Sequence, residues 1–226
     1  MNQQPALELV HTYLRMEGTG VTNDGCLFPL NDMPTDEIAR VLVIHHDQAY
    51  TMYLRHDLPE DIQKQLLALS AERAFNDHPT VQQLLQPHGP SANVWTGKSY
   101  VFPHTLSGDD YRDAVQLQAI HQPLITHYDP QLRCDLSPVH AIIVADQICA
   151  TCQASHESDV GAEAWVRTLP AFRKRGFGRQ VTAAWAHHLQ QQGKLPFYSH
   201  HRDNLASQAL AHSLGLRQYM ADVAYR

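Results

Sequence analysis

The sequence predicts a two-part α/β protein in which strands alternate with amphipathic helices. Three observations lead to this class. Short runs rich in β-branched and aromatic residues recur along the chain, stripes of apolar residues at helical spacing follow several of them, and turn residues separate the two. Residues 86–93, QPHGPSAN, hold two prolines and a glycine and mark the strongest boundary. We therefore predict a small N-terminal α/β subdomain over residues 1–92 and a larger domain over residues 93–226.

The N-terminal part is predicted to contain helices and a pair of strands. Its start, MNQQPALELVHTYLRMEG, indicates an amphipathic helix that ends at Gly18, without the basic and apolar regions of a signal peptide. ARVLVIHH and AYTMYLR predict two strands joined by a tight turn near Asp47. Two helices follow, one in LPEDIQKQLLALSAERA, where Pro59 suits the first turn, and one in HPTVQQLLQ.

The second part is predicted to be a mixed array of strands and helices. NVWTGKSYVFP indicates a strand or a hairpin around Gly97, and DDYRDAVQLQAIHQPLI indicates a helix that Pro123 breaks. VHAIIVADQICATCQASH predicts two strands with a turn at residues 146–147. EAWVRTL, residues 163–169, predicts a third strand that leads directly into the stretch RKRGFGRQ.

Three further elements complete the chain. A helix follows RKRGFGRQ, runs to about Gln191 and is closed by Gly193, after which LPFYSHH predicts a strand. Asn204 is a suitable cap for the helix in NLASQALAHSLGL, which ends at Gly215 with the hydrophobic Leu216 behind it. QYMADVAYR predicts the last strand.

Composition argues against several classes of function. The 17 basic and 23 acidic residues give a net charge of −6, which disfavours general nucleic-acid binding. No apolar run has the length of a membrane span, so we expect a cytoplasmic protein. The 16 histidines are scattered without a metal-ligand spacing, so no metal site is predicted. Cys149 and Cys152 would point to opposite faces of a strand, which favours two buried thiols over a redox or metal pair.

The stretch RKRGFGRQ, residues 173–180, concentrates positive charge where a helix begins. The first amides of a helix have no partner within it, and the helix dipole makes that end positive. Glycines let an anion approach such amides closely. Basic residues at this end oppose the dipole, so a plain surface helix gains nothing from them. The pattern therefore favours a phosphate site over a solvated basic turn, although it is neither a Walker loop nor a dinucleotide fingerprint.

This stretch resembles the RxxGxG signature of the GCN5-related N-acetyltransferase (GNAT) family, as Arg173-Lys174-Arg175-Gly176-Phe177-Gly178. The order of elements is also similar to that family: strand, glycine turn, helix, strand, and then a helix with the pattern N-x-x-[AS]-x-x-L…G-[FL], here Asn204, Ser207, Leu210, Gly215 and Leu216. The resemblance covers roughly residues 97–226 and is strongest over residues 160–217. It implies a mixed, mostly antiparallel sheet flanked by helices, and it leaves the N-terminal subdomain unexplained.

The resemblance implies acetyl-CoA as a co-substrate. The pyrophosphate would lie on the amides of residues 173–178, and the pantetheine arm would run between the strands at 163–169 and 195–201, which diverge in the family. Backbone groups near residues 166–169 would pair with the arm like an added strand. The implied cofactor-binding residues are Val166, Thr168, Leu169, Arg173, Lys174, Arg175, Gly176, Phe177, Gly178, Arg179, Asn204 and Ser207.

A primary amine is mostly protonated at neutral pH, so a base must take a proton before the amine can attack a thioester. Glu163 opens the strand before the glycine turn, where some family members carry a glutamate base; an exposed strand-end acid is the alternative interpretation. His200 and His201 end the other diverging strand and are further candidates, with Tyr198 a weaker one, although a structural or solvent-facing role is the plainer interpretation of each. The family usually carries an acid tyrosine at the position of Ala211, so this chain lacks it.

Together these features predict acetyl-CoA-dependent N-acetylation by direct transfer to a primary amine, with a small molecule favoured over a protein as acceptor. The acidic chain favours a cationic acceptor. Two alternatives stay open. The missing tyrosine suits a non-catalytic module that binds and senses acyl-CoA, and the basic turn suits a nucleic-acid site, which the acidic balance disfavours. A longer acyl chain and a homodimer are both compatible with the sequence, and no membrane or nucleic-acid partner is expected.

Overall fold

The computed structural model describes residues 5–89, 93–129, 132, 134 and 137–226, so part of the expected boundary at residues 86–93 lies outside the described residues. The α-helices in this part of the chain are α1 (Ala6–Met16), α2 (Glu60–Leu67), α3 (Ala71–Asn76), α4 (His78–Leu85), α5 (Gln122–Tyr128), α6 (Phe177–Gln191) and α7 (Leu205–Ser213). The strands are β1 (Thr19–Val21), β2 (Cys26–Pro29), β3 (Val41–His46), β4 (Ala49–Arg55), β5 (Val94–Val101), β6 (Val115–Gln116), β7 (His140–Val144), β8 (Gln147–Glu157), β9 (Gly161–Thr168), β10 (Leu195–His201) and β11 (Arg217–Tyr225).

The chain divides into two compact units. Unit 1 comprises residues 1–99, 200–204 and 218–226, and unit 2 comprises residues 100–199 and 205–217. The last strand of the chain therefore belongs to the unit that the N-terminal residues form. Within the described residues, no helix combines the length and the apolar character that crossing a bilayer requires.

Unit 1 is a mostly antiparallel sheet with helices packed against it. Its strands are neighbours in the order β1-β2-β4-β3-β11-β5. β3 and β4 form the predicted hairpin, and both turn residues, Asp47 and Gln48, have left-handed φ angles of 45° and 63°. Such a turn matches the twist of the flanking strands. The sheet and α2–α4 share a core formed by Val41, Val43, Leu54, Leu58, Ile62, Leu66, Phe75, Val81, Leu85, Val223 and Tyr225, among others.

Unit 2 contains a sheet in the order β10-β9-β8-β7-β6. The neighbouring strands are antiparallel except for β9 and β10, which are parallel. α6 packs on one face, because Val181, Trp185 and Leu189 recur at helical spacing and are each 0% exposed. The sheet side of this core includes Ala150 and Ala162. The predicted α/β class, with a mixed and mostly antiparallel sheet flanked by helices, is confirmed.

One predicted helix is wrong. The segment DDYRDAVQLQAIHQPLI forms 3-10 turns at Gly108–Asp110 and Ala119–His121, with the short strand β6 between them. Pro123 does not break a helix, because it lies in the first turn of α5. Proline fixes φ and lacks an N–H group, so it is tolerated in a first turn, where that donor would have no partner within the helix.

Two smaller differences concern turns. Gly97 lies inside the single strand β5, so the hairpin alternative is excluded. A Cβ at this position would lie 2.6 Å from Oδ1 of Asp222, so glycine is what allows this close approach. The turn between β7 and β8 is formed by Ala145 and Asp146, whose φ angles are 47° and 57°, one residue earlier than predicted.

Candidate functional site

The parallel pair of β9 and β10 gives unit 2 an opening at its centre. The pairing begins at Gly161 and stops at Glu163, whereas β9 stays paired with β8 as far as Thr168. Over these described residues the two strands therefore diverge beyond Glu163, and one edge of β9 is left without β10 as a partner. An extended ligand can pair with such an edge as an added strand. Val166 lies on this edge, whereas the amide of Leu169 is already donated to the Cys149 carbonyl, at 2.9 Å.

The glycine turn leads from β9 into α6. Gly176 immediately precedes the helix and has a φ of 81°, in the left-handed region that glycine adopts without strain. Lys174 is left-handed too, with a φ of 61°. The Gln180 amide donates to the Gly176 carbonyl at 3.1 Å. The amides of residues 177–179 precede that bond and have no partner within the helix, which is the feature that the predicted anion site requires.

Gly178 lies where α6 approaches the end of β9. A Cβ at this position would lie 3.2 Å from Oγ1 of Thr168 and 3.9 Å from Cγ1 of Val166. The first distance is tighter than ordinary van der Waals contact. Gly178 is therefore required for the packing of helix against strand, whereas Gly176, with no atom within 4 Å of an added Cβ, is required for its backbone conformation.

Three of the four cations of the turn are exposed. Arg173, Lys174 and Arg175 all lie at the surface before α6. The Nε group of Arg173 donates to the Thr168 carbonyl at 3.3 Å, and the Arg175 guanidinium lies 5.2 Å from the centre of the Phe172 ring. These two contacts hold the guanidinium groups close to the helix N-terminus, where they can add to its positive potential.

The fourth cation, Arg179, has structural partners. Its Nε group donates to the Ser213 carbonyl at 3.0 Å, and its guanidinium forms a half-buried ion pair with Asp110. The side chain therefore joins α6 to the end of α7 and to the turn at Gly108–Asp110. The predicted role of its charge in a phosphate site therefore competes with these two structural contacts.

Glu163 is buried at the point where β9 and β10 part. Only 9% of its side chain is exposed, which excludes the interpretation of an exposed strand-end acid. Ser155 donates a hydrogen bond to its Oε2 at 3.0 Å, and the hydroxyl of Ser199 donates to its Oε1. The Nδ1 atom of His156 lies 3.2 Å from the same Oε2. Hydrogen bonds of this kind offset the cost of burying a carboxylate.

A β-bulge in β8 brings two of these partners to one carboxylate. The register between β8 and β9 shifts so that His156 pairs with Glu163 and Ser155 is the extra residue. Bulges redirect side chains, and here two consecutive side chains reach the same acid. The sequence analysis identified neither of them, nor Ser199. The polar run SHES at the end of an apolar strand is the signal that could have marked them.

Ala211, at the expected position of the acid tyrosine, is 1% exposed in the core of unit 2. Tyr198 of β10 lies in the same core and is hydrogen-bonded to the side chain of Ser207. Burial raises the pKa of Tyr198 to about 12, an effect larger than the lowering by the Ser207 bond. Ser207 and Ala211 are one helical turn apart in α7, so Tyr198 brings a hydroxyl to the helix face that lacks the tyrosine.

The face of β9 that carries Glu163 continues with Trp165 and Arg167, since alternate residues of a strand share a face. Trp165 is 42% exposed. Arg167 pairs with Asp129 at 3.2 Å and lies 5.0 Å from the centre of the Tyr128 ring. This face therefore carries the buried Glu163 carboxylate and an exposed indole ring, which are groups that stabilise a bound cation, whereas Asp129 and Tyr128 are already paired with Arg167.

The remaining predicted residues belong to unit 1. His200 is buried, and its Nδ1 lies 2.9 Å from the carbonyl of His201. The His201 ring packs edge-on against Trp95 at 5.2 Å and accepts from the Asp203 amide at 3.3 Å. The Asn204 amide donates to the His201 carbonyl at 2.9 Å. Glu163, the glycine turn and Ser207 are thus brought together in unit 2, while His200, His201 and Asn204 have structural contacts in unit 1.

Known proteins resemble this chain in fold or in part of its sequence. A family model described as FR47-like protein matches residues 143–226, less than half of the chain. No curated protein matches the sequence. A GNAT-family acetyltransferase structure from Colwellia psychrerythraea is 12% identical, with a TM-score of 0.50, over 92% of this chain and 79% of that one. A GNAT-family structure from Novosphingobium aromaticivorans is 16% identical, with a TM-score of 0.49 and 59% of this chain covered. An aminoglycoside N-acetyltransferase in complex with CoA is 19% identical, with a TM-score of 0.39, over 47% of this chain and 92% of that one.

The fold is that of the GNAT acetyltransferases. The FR47-like model matches residues 143–226, which include the bulged strand, the glycine turn and α7, and this match confirms the predicted resemblance to the GNAT family. The chain covers 64% of the Novosphingobium chain, less than two thirds of its length. At these identities the solved structures establish the fold alone.

Proposed function

We propose that this protein is an acetyl-CoA-dependent N-acetyltransferase that transfers the acetyl group directly to the primary amine of a small cationic molecule. One observation carries the proposal: the opening between β9 and β10 has a buried carboxylate where the strands part, and β9 runs from there into a glycine turn with exposed cations. The glycine turn would bind the phosphates of a thioester such as acetyl-CoA, and the carboxylate would take a proton from an ammonium acceptor.

The glycine turn is suited to the pyrophosphate of CoA. The amides of residues 177–179 have no partner within α6, and Gly178 leaves no side chain between those amides and β9. Arg173, Lys174 and Arg175 add positive charge at the same end of the helix. Along the edge of β9, the backbone near Val166 pairs with the amides of the pantetheine arm. When bound, acetyl-CoA supplies an activated acetyl thioester.

Glu163 is the proposed base. Ser155 and Ser199 hold its carboxylate in place, and it takes one proton from the ammonium group of the acceptor. The neutral amine then forms a C–N bond to the acetyl carbon as the C–S bond breaks, and the sulfur leaves as a thiolate. A second proton from the same nitrogen neutralises that thiolate, so one proton is released in each turnover.

Tyr198 is proposed to stabilise the departing sulfur with a hydrogen bond. With a pKa of about 12 it is a weaker acid than a thiol, whose ordinary pKa is about 8.5. Proton transfer from this phenol to a thiolate is therefore unfavourable, whereas donation of a hydrogen bond carries no such cost. This assignment accounts for a transferase that has alanine at position 211.

Trp165 is proposed to help select the acceptor. The exposed indole lies beside Glu163 on one face of β9. A small cationic amine fits such a face better than an acidic or purely apolar amine, because the ring face and the Glu163 carboxylate both attract positive charge. A cytoplasmic location, the homodimer and the division near residues 92–93 stay predictions.

A non-catalytic acyl-CoA-binding module is the second candidate. The buried Ala211 favours it, since no titratable group occupies that position. Such a module retains the glycine turn and the free edge of β9 but does not turn over any amine.

Calorimetric titration with acetyl-CoA, desulfo-CoA and ATP tests binding, and release of the CoA thiol with spermidine, kanamycin or tyramine as acceptor tests transfer. The proposal expects selective binding of both CoA compounds and amine-dependent thiol release. Selective binding without turnover of any amine would favour the binding module. Equal binding of ATP and CoA, or no binding at all, would refute the assignment of the turn.

A further inference from the structure

His156 connects the buried carboxylate of Glu163 with the surface of unit 2. Its Nδ1 atom lies 3.2 Å from Oε2 of Glu163, yet 51% of the histidine side chain is exposed, compared with 9% of the glutamate. The two residues face each other across the bulge in β8. One end of the imidazole ring therefore contacts the base, while about half of the side chain is exposed to solvent.

A buried base needs a route by which its proton can leave. Transfer of the acetyl group to an ammonium acceptor releases one proton per turnover, and Glu163 must lose this proton before it can act as a base again. The serine hydroxyls that bond to Glu163 orient the carboxylate, but a hydroxyl does not hold an added proton at neutral pH. An imidazole does, because it titrates near neutrality and has two nitrogen atoms at different positions.

We propose that His156 is a positioning residue that also relays the proton from Glu163 to water, an inference that rests on the proposed transferase function. In the tautomer with its hydrogen on Nε2, His156 accepts the proton from Glu163 on Nδ1. The imidazolium then releases its Nε2 proton to solvent. Glu163 returns to the carboxylate and no bond to carbon is involved. The acceptor's proton stays on Nδ1 and the former Nε2 proton leaves, so one proton is released for the one taken up, and proton exchange between the exposed ring and water restores the Nε2–H tautomer.

The bulge supports this role over that of a chance cross-strand contact. In a regular antiparallel strand, neighbouring side chains point to opposite faces. The inserted residue lets both Ser155 and His156 reach Oε2 of Glu163. One of them fixes the carboxylate, and the other carries the exchangeable proton outward.

Two substitutions distinguish a proton-relay role of His156 from a role in orienting Glu163. His156→Asn keeps an N–H donor close to the position of Nδ1 and so keeps the hydrogen bond to Glu163, but it cannot carry a proton. His156→Ala removes both the hydrogen bond to Glu163 and the group that carries the proton. If the relay operates, both variants lose about tenfold or more in kcat, with the KM for acetyl-CoA unchanged. Imidazole added to His156→Ala then restores a large part of kcat. His127→Asn, an exposed histidine on α5, is the matched control.

The results distinguish the inference from the proposed function. An active wild type together with a fully active His156→Asn variant would overturn the relay alone, and so would a lack of imidazole rescue in His156→Ala. A wild type that binds acetyl-CoA but acetylates none of spermidine, kanamycin and tyramine would overturn the proposed function, and the relay with it.

A readout without turnover completes the test. In the free protein, the ¹⁵N resonance of His156 Nδ1 is expected to show a hydrogen bond to a carboxylate, and to shift when Glu163→Gln is introduced. An unchanged resonance would contradict the contact on which the relay depends.

Discussion

Replacing Glu163 with glutamine is the most direct perturbation of the proposed chemistry. The two side chains have the same shape, and glutamine can both accept and donate hydrogen bonds to the surrounding hydroxyls of Ser155 and Ser199. The fold of the strand pair is therefore expected to persist. What is lost is the negative charge and the ability to take a proton from an ammonium group.

The expected magnitude follows from the role of a general base. Such a group contributes about 10²–10⁴-fold to a rate, which corresponds to about 3–5 kcal/mol of transition-state stabilisation. Because Glu163 lies where the strands part and not in the glycine turn, the affinity for acetyl-CoA should change little. The assay is thiol release at saturating acetyl-CoA over a range of amine concentrations, with calorimetry for the affinity.

Glu157→Gln is the matched control. Glu157 is a glutamate on the same strand as His156, and it forms a half-buried ion pair with Lys194 at 2.7 Å. Glutamine at this position keeps the hydrogen-bonding atoms and loses only the charge, and Glu157 has no role in the proposed reaction, so activity should be retained. A Glu163→Gln protein that is folded and keeps the kcat of the wild type would refute the assignment of the base. An equal loss in both glutamine variants would indicate a general effect of removing charge.

Three further predictions concern packing and pH. Gly178→Val should raise the Kd for acetyl-CoA by about tenfold or more, because a Cβ at this position meets Thr168 Oγ1 at 3.2 Å. The control is Gly108→Ala, since nothing lies within 4 Å of a Cβ added at Gly108. Equal affinities of the two variants in calorimetry would contradict the packing argument. Burial lowers the pKa of His140 from its ordinary value of 6.5 to about 4. The free energy of unfolding should therefore have its full value above pH 6.5 and fall by up to about 3 kcal/mol as the pH drops towards 4. Urea titrations at several pH values measure this loss, and a slope that persists unchanged in His140→Leu would assign it elsewhere. Trp185→Ala should destabilise the protein by about 3–5 kcal/mol, since the indole is 0% exposed under α6, and a loss below about 1 kcal/mol would show that the core repacks.

The glycine turn could be predicted because its information is local. Gly176 and Gly178 stand at the junction of a strand-like run and a helix-like run, and the physics of a helix N-terminus requires no knowledge of distant residues. The structure adds a separate reason for each glycine, a left-handed φ for the first and close packing on β9 for the second. It also shows that one nearby cation, Arg179, is held by an acidic partner, which no spacing in the sequence indicates.

The surroundings of Glu163 could not be predicted in the same way. Its partners come from two other strands, β8 and β10, and the two partners on β8 depend on a register shift in that strand. A bulge is decided by how two strands align, so a period-two reading of one strand cannot reveal it. The segment before α5 was also predicted incorrectly from local pattern. Its apolar residues have helical spacing, but in the structure the helix begins only at the turn that contains Pro123.

By itself, the sequence determined the α/β class, most of the elements and the glycine turn at the start of α6, because propensity, periodicity and helix-end chemistry act over a few neighbouring residues. Only the tertiary structure decided which acid is buried, which histidine reaches it and which predicted residues lie in the other unit. Those facts depend on contacts between strands that are far apart in sequence, and such contacts exist only after the sheet has formed.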